Sequence, residues 1–296
     1  MNKLTNSQRG IAALIFMTFL GSLMGVWVRY LGAHFKLYQQ VAIRSFSGFL
    51  LGFIFYSSKI RLKQLKGILL NDLLLIMLRA TSAIIGIGLY SLSILTTKFA
   101  NVSFVFSLPT TALLGIILLK EKVNLQKLIL LFLGFIGVIL ISININEITE
   151  FSFGKGEIYA FIATFFYSLS YIIRKWISPN LNNYEITQSA SFFCFLFAFI
   201  ISQILRDGVS EFSSIPIPLI IIIFLAGLTF IFIGYFSCYG FERVEAVKAN
   251  NILILDSVFG LIIGFMIYHE IPTSIELIGG IIIIISAYYM NKIPNK

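Results

Sequence analysis

The chain is written in long apolar runs separated by short polar clusters. Taking about 20 mainly apolar residues as the length that crosses a bilayer as a helix, the pattern predicts ten spans. They run approximately 11–30, 38–57, 72–93, 99–119, 125–145, 157–177, 186–205, 216–238, 249–268 and 273–290. Short tails and brief loops remain, too little for a soluble catalytic or regulatory domain. The first run is too long for the core of a cleaved signal peptide, and no clean small-x-small site follows it. It is expected to stay as the first span.

Composition places the chain firmly in the membrane class: 58% of its residues are hydrophobic, 12% are charged and 30 are Phe. The fold class expected is therefore all-α and integral to the membrane. A net charge of +9 would suggest a nucleic-acid partner in a soluble protein, but its placement along the loops decides otherwise. With the amino terminus in the cytoplasm, fifteen of the 22 Lys and Arg fall on the inner side and five on the outer, while Arg44 and Arg79 lie inside spans. That asymmetry reads as membrane orientation, and no nucleic-acid partner is expected. Cys194 and Cys238 lie in or at the end of apolar spans, where free Cys acts as a small hydrophobe. They suggest neither a disulfide framework nor a metal site, and no cofactor is expected.

Laid on itself, the sequence repeats. GIILLKEKVNLQKLI (115–129) overlays GFMIYHEIPTSIELI (264–278) without a gap, which brings Glu121 onto Glu270. At the same offset Tyr90 meets Tyr239, Asn101 meets Asn250 and Gly115 meets Gly264. The expectation is a single transport unit of two five-helix halves, 1–148 and 149–296. Five is odd, so the second half enters the membrane inverted, and LKEKV inside faces YHEIP outside. Inverted repeats are the architecture of secondary transporters, with a substrate site near the midplane between the halves.

Ten spans, two five-helix halves, an Arg in the second span (VAIRSFSG) and acids after the fourth and ninth (ILLKEKVNLQKL, MIYHEIPTSIEL) resemble the drug/metabolite transporter superfamily, its EamA branch above all. The likeness covers essentially the whole chain. It implies a small-metabolite permease of the bacterial inner membrane with both termini cytoplasmic. It further implies a central cavity lined by the first, third, fourth, sixth, eighth and ninth helices. Amino acids, their derivatives, S-adenosylmethionine, nucleobases, vitamins and choline-like cations are substrates within that family.

The candidate site is read from polar groups that a span should not tolerate. Asp256, in NNILILDSVFG, sits about eight residues into the ninth span, where a charge costs roughly 2.5–3.5 kcal/mol on insertion scales. Arg79 lies at the same depth in the third span, so an Arg79–Asp256 ion pair is expected. An apolar site favours the protonated carboxyl and a nearby guanidinium the ionised one, which would make Asp256 a switch. The alternatives are a permanent structural pair or an Arg79 that snorkels to the headgroups. Arg44 could hold a substrate carboxylate through its fork of donors, or pair with backbone carbonyls as a packing residue. Gly21 and Gly25 share one face of the first span, and Tyr167 and Tyr171 occupy the matching positions of the sixth. They read either as the open side and aromatic wall of a cavity or as close small-xxx-small packing.

Trp27, Tyr30, Tyr90 and Tyr239 fall near span ends and suit aromatic belts, with Trp27 kept among the candidate substrate contacts. Asn101 and Asn250 begin the fourth and ninth spans and suit either helix capping or paired gates. Pro109, which cannot donate a backbone hydrogen bond, frees the Val105 carbonyl and marks a candidate hinge. Glu121 and Glu270 precede the fifth and tenth helices, whose positive dipole ends favour an anion. The tenth helix also carries a capping box in TSIE, from Thr273 to Glu276.

The function expected is secondary transport of a small metabolite, first amino acids or their derivatives, by alternating access with proton coupling through Asp256. The alternative substrate is S-adenosylmethionine or another cationic nucleoside-like compound; a different class is a lipid flippase or structural membrane partner. A membrane enzyme is not expected, because His34 and His269 lie in separate outer loops and no metal-ligand cluster or phosphate loop is present. The partners foreseen are a small molecule and the bilayer, in a monomer or homodimer.

Overall fold

A computed structural model describes residues 5–97, 99–142, 154–207, 216–269 and 271–293, leaving aside the side chains of Lys66, Phe99, Ala100, Asn101 and Ser103. Every element among the described residues is a helix. In chain order they are α1 (Asn6–Gly32), α2 (Leu37–Tyr56), α3 (Leu62–Lys66), α4 (Leu70–Thr96), α5 (Phe99–Phe106), α6 (Thr110–Leu119) and α7 (Leu125–Ser142). The remainder are α8 (Lys155–Ile173), α9 (Asn183–Ile204), α10 (Ile217–Arg243), α11 (Ala246–Leu253), α12 (Leu255–Tyr268) and α13 (Ser274–Lys292).

Among the described residues, eight stretches are long and apolar enough to cross a membrane, with α11 and α12 together making one of them. The second expected span corresponds to α2, of 20 residues, and the fourth to the pair α5 and α6. Large apolar side chains such as Phe55, Phe132, Ile204 and Ile281 are exposed around the bundle, while Ser, Thr, Asn and Arg are buried inside it. Lipid, not water, is the solvent that this distribution suits.

Polar starts fix where the helices begin. Thr5 and Gln8 cap α1 reciprocally, as do Asn182 and Glu185 at α9. The box expected from TSIE forms at α13: Thr273 N donates to Glu276 at 2.6 Å, and Glu276 N donates to Thr273 Oγ1 at 3.3 Å.

The fourth span breaks before Pro109, the candidate hinge, and the ninth is interrupted at one residue. Ser107, Leu108 and Pro109 separate α5 from α6, since proline has no N–H to continue the ladder. The Val105 carbonyl that Pro109 cannot serve is not left free, because Leu108 N donates to it at 3.2 Å. In the ninth span the interruption is a single residue, Ile254. Two residues 149 positions apart, Lys120 and His269, adopt the left-handed conformation (φ 54° and 57°) and end α6 and α12. Each donates its N–H to a glycine carbonyl five residues back, Gly115 and Gly264 respectively.

The most extensive helix pairings are α4 with α8, α1 with α10, α7 with α13 and α2 with α9. Between α7 and α13 the backbones touch: a Cβ at Gly279 would stand 2.5 Å from the Gly137 carbonyl oxygen, and one at Gly137 would stand 2.7 Å from that of Gly279. One end of the bundle carries Arg61, Lys122, Arg174, Lys175, Arg243 and Lys248 and is called the basic end below. Helices α1, α5, α8, α10 and α13 reach or leave the opposite end near Gly32, Phe99, Lys155, Ile217 and Ser274.

Candidate functional site

A cavity of about 190 Å³ lies inside the bundle. Its walls come from α1, α4, α5–α6, α8, α10 and α11–α12, which are the spans that the family resemblance implied. The break before Pro109 opens onto it through Ser107 and Leu108, and Ile254 lines it from the other side. Irregular backbone at membrane depth is tolerated where it lines such a space.

Asp256, the second residue of α12, is the one acidic side chain lining this cavity among the described residues. Its surface is open to the cavity, and Ser22 on α1 donates a hydrogen bond to its Oδ1. The positive end of α12 adds about 0.3–1 kcal/mol in favour of an anion at that position. These partners and access to water offset the cost of placing a carboxylate there.

Gly21 and Gly25 face the same space. A Cβ at Gly21 would lie 3.8 Å from Asp256 Oδ1, and one at Gly25 would meet nothing within 4 Å. Of the two readings open in the sequence, close helix packing is thus corrected and the open side of a cavity remains. Across from the glycines, Tyr90, Phe106, Tyr167 and Tyr171 line the cavity. Their rings form a chain, Tyr90 to Phe106 at 4.8 Å, Phe106 to Tyr167 at 5.9 Å and Tyr167 to Tyr171 at 6.3 Å. Tyr171 is held by stacking on Phe241 at 4.8 Å. Tyr90 is therefore a cavity residue and not a belt residue.

The expected Arg79–Asp256 ion pair does not form. Arg79 donates to Ser237 Oγ at 2.7 Å and to the Ser170 carbonyl at 3.3 Å, and it lines a different cavity. The pair fails on azimuth: Arg79 faces α8 and α10, whereas Asp256 faces α1. Arg44 lines that second cavity too, and among the described residues it meets the Met24 sulfur, not the backbone carbonyls foreseen as its packing partners. Trp27 lines neither cavity: its indole donates to Thr229 Oγ1 at 3.2 Å and packs beside Leu31 and Leu219, so its place is between helices.

Asn250 lines the main cavity, but it does not cap its own helix. It lies within α11, and its Oδ1 accepts from Ala112 N at 3.3 Å in the first turn of α6. The side chain of Asn101 and the whole of Glu270 lie outside the described residues. Glu121 likewise serves a helix other than the one following it in sequence: its carboxylate accepts from Ala246 N at 2.8 Å and Val247 N at 3.1 Å, at the start of α11.

Around Glu121 the basic end is sealed. Lys175 Nζ stands 3.5 Å from the Glu121 carboxylate and donates to the Val244 carbonyl at 2.8 Å. Lys127 pairs with Glu245, and Arg174 with Glu242 at 3.2 Å. Toward the opposite end a vestibule of about 320 Å³, lined by Arg29, Ser142, Tyr268, Pro272 and Glu276, leads down to Asp256. It adjoins the main cavity at Gly25, Tyr90, Asp256 and Ser257.

Sequence reasoning passed over Ser22, the Thr111–Ser168 hydroxyl pair (2.8 Å) in the cavity, and the acid–base pairs of the seal. Ser and Thr in spans carried no distinguishing signal. Glu121, Glu242 and Glu245 beside lysines and arginines did, but those bases had been absorbed into the count that orients the chain.

The model of the EamA-like transporter family matches residues 8–143 and 154–292. An S-adenosylmethionine uptake transporter of Rickettsia felis is 25% identical over 281 residues, 93% of this chain and 90% of that protein. An uncharacterized transporter of Synechocystis is 23% identical over 217 residues, 70% of this chain, and the match spans only 61% of that protein's length. A solved crystal structure superposes with a TM-score of 0.70 at 13% identity, covering 95% of this chain and 94% of the other, a likeness of fold alone.

Proposed function

The chain belongs to the EamA-like transporter family and is a multi-pass membrane transporter; from that premise we propose that it carries a small metabolite bearing a cationic group, by alternating access between two inverted five-helix halves. One observation carries the reading: a single acidic side chain, Asp256, stands where the vestibule meets a cavity walled by tyrosine and phenylalanine rings. A carboxylate with aromatic faces around it suits an organic cation better than a neutral or anionic solute. Asp256 then binds the cation and a proton in turn, which couples the two.

Amino acids and their derivatives remain the substrate class, and S-adenosylmethionine, a sulfonium-bearing amino-acid derivative, is the first compound to test. The likeness to the S-adenosylmethionine uptake transporter of Rickettsia felis supports that order. The two-half reading is supported by the family match falling on both halves and by the shared geometry of Lys120 and His269. The excess of Lys and Arg at one end supports a bacterial inner-membrane protein with that end and both termini in the cytoplasm. The vestibule then faces outward.

The decisive measurement is counterflow of labelled S-adenosylmethionine in proteoliposomes, across a range of pH. Asp256→Asn is expected to lower transport at least about tenfold, the loss of one charge-assisted contact, and to abolish its pH dependence while the protein stays folded. Full transport by that variant with an unaltered pH profile would overturn the reading.

A further inference from the structure

Behind the tyrosine wall is a second cavity, of about 130 Å³. Met24, Tyr167, Tyr171 and Ile233 line both it and the main cavity, so the two adjoin along that wall. Its chemistry is opposite in sign. Arg44 and Arg79 line it, and among the described residues no acidic one does.

Arg44 is 3% exposed, and its Nε has no hydrogen-bond partner. Its guanidinium has one polar contact, the Met24 sulfur at 4.0 Å, which is a poor acceptor. Thr187, 2% exposed and lining the same cavity, also has a hydroxyl with no partner. Arg79 uses two of its five donors, on Ser237 and Ser170, both neutral acceptors. A buried guanidinium without an acceptor is costly, and a structure retains it where an anion completes it.

We propose that this cavity is a carboxylate subsite, in which Arg44 and Thr187 bind a carboxylate and Arg79 supplies a second positive charge. It rests on the function proposed above and deepens it: the substrate is a zwitterion whose cationic group meets Asp256 and whose carboxylate lies behind the Tyr167–Tyr171 wall. A carboxylate fits in this volume. Arg79, which matches Leu228 in the overlay, and Arg44, which matches Ala190 when SFSGFLLGFI (45–54) is laid on SFFCFLFAFI (191–200), both break the internal repeat, as residues serving an asymmetric ligand would.

Two measurements on the purified full chain test this independently. In the first, acetate replaces chloride at constant ionic strength while thermal unfolding is followed. Acetate is expected to raise the unfolding temperature saturably in the unsubstituted protein and in Asp256→Asn, but not in Arg44→Met. Thr187→Val should weaken the acetate effect by about 2- to 10-fold, the size of one neutral hydrogen bond, and it serves as the second variant should Arg44→Met not fold. In the second, S-adenosylmethionine is compared with its decarboxylated analogue. The unsubstituted protein is expected to favour the carboxylate-bearing compound by about 10- to 100-fold. Arg44→Met should bring the ratio near one without weakening the analogue.

An acetate effect that survives both Arg44→Met and Thr187→Val, its absence from the unsubstituted protein, or an equal effect of chloride overturns the subsite. So does equal weakening of both compounds by Arg44→Met, which marks a structural role. Binding of neither compound, with the acetate effect intact, sinks the cation reading of Asp256 and leaves the anion site standing.

Discussion

Gly25 shows how much function one missing side chain can carry. Nothing lies within 4 Å of where its Cβ would be, so the space opposite the tyrosines exists because α1 is bare there. Gly25→Leu is therefore expected to leave thermal unfolding nearly unchanged and to abolish transport by filling the cavity; retained transport in proteoliposomes would show that the substrate passes elsewhere. The sequence singled out Gly21, Gly25, Tyr167, Tyr171 and Asp256, and the structure gathers all five around one cavity. Arg79 and Trp27 were also singled out, and neither is there. The difference is physical: hydropathy and helix length give the depth of a residue, but the face it presents depends on packing between distant helices. The Ser22 hydroxyl that bonds Asp256 comes from a helix 234 residues away in sequence.

At the scale of elements, the helices were legible and their interruptions less so. Pro109 announced a break in the fourth span through its missing N–H. The interruption at Ile254 has no such signature: its backbone stays right-handed helical (φ −60°, ψ −21°), and only the bonding slips, Ser257 N donating to its carbonyl at 3.1 Å. Pairing is likewise unreadable from composition, since glycine serves close packing at one site and empty space at another. Gly279 is of the first kind, and its neighbour is backbone, which cannot swing aside. Gly279→Ala should thus cost about 1–3 kcal/mol, the usual range for an overpacked site. Thermal unfolding in detergent would read this as a lowered midpoint, and an unchanged midpoint would mean that α7 and α13 separate freely.

For the whole molecule, the conformation is closed at the basic end and open through the vestibule at the other. Glu121 is central to the closure, holding two N–H groups of α11 and lying beside Lys175. Glu121→Gln removes a charge-assisted contact of about 1.5–3 kcal/mol and should shift the equilibrium toward opening at that end by roughly 10- to 100-fold. A cysteine in place of Ser168 on the cavity wall would report the shift as faster labelling by a thiol reagent applied from the basic side; unaltered labelling would place the closure elsewhere. The sequence set Glu121 before the fifth helix, on a local dipole argument, because the start of α11 is 125 residues away and only the folded chain brings it near.

The contact between Gly137 and Gly279 constrains how such a molecule can rock. With each glycine set against the other's carbonyl oxygen and no room for a Cβ between them, α7 and α13 meet in a close seam. In the proposed cycle that seam would serve as a fulcrum, and the travel would fall to the helices on the far side of the cargo.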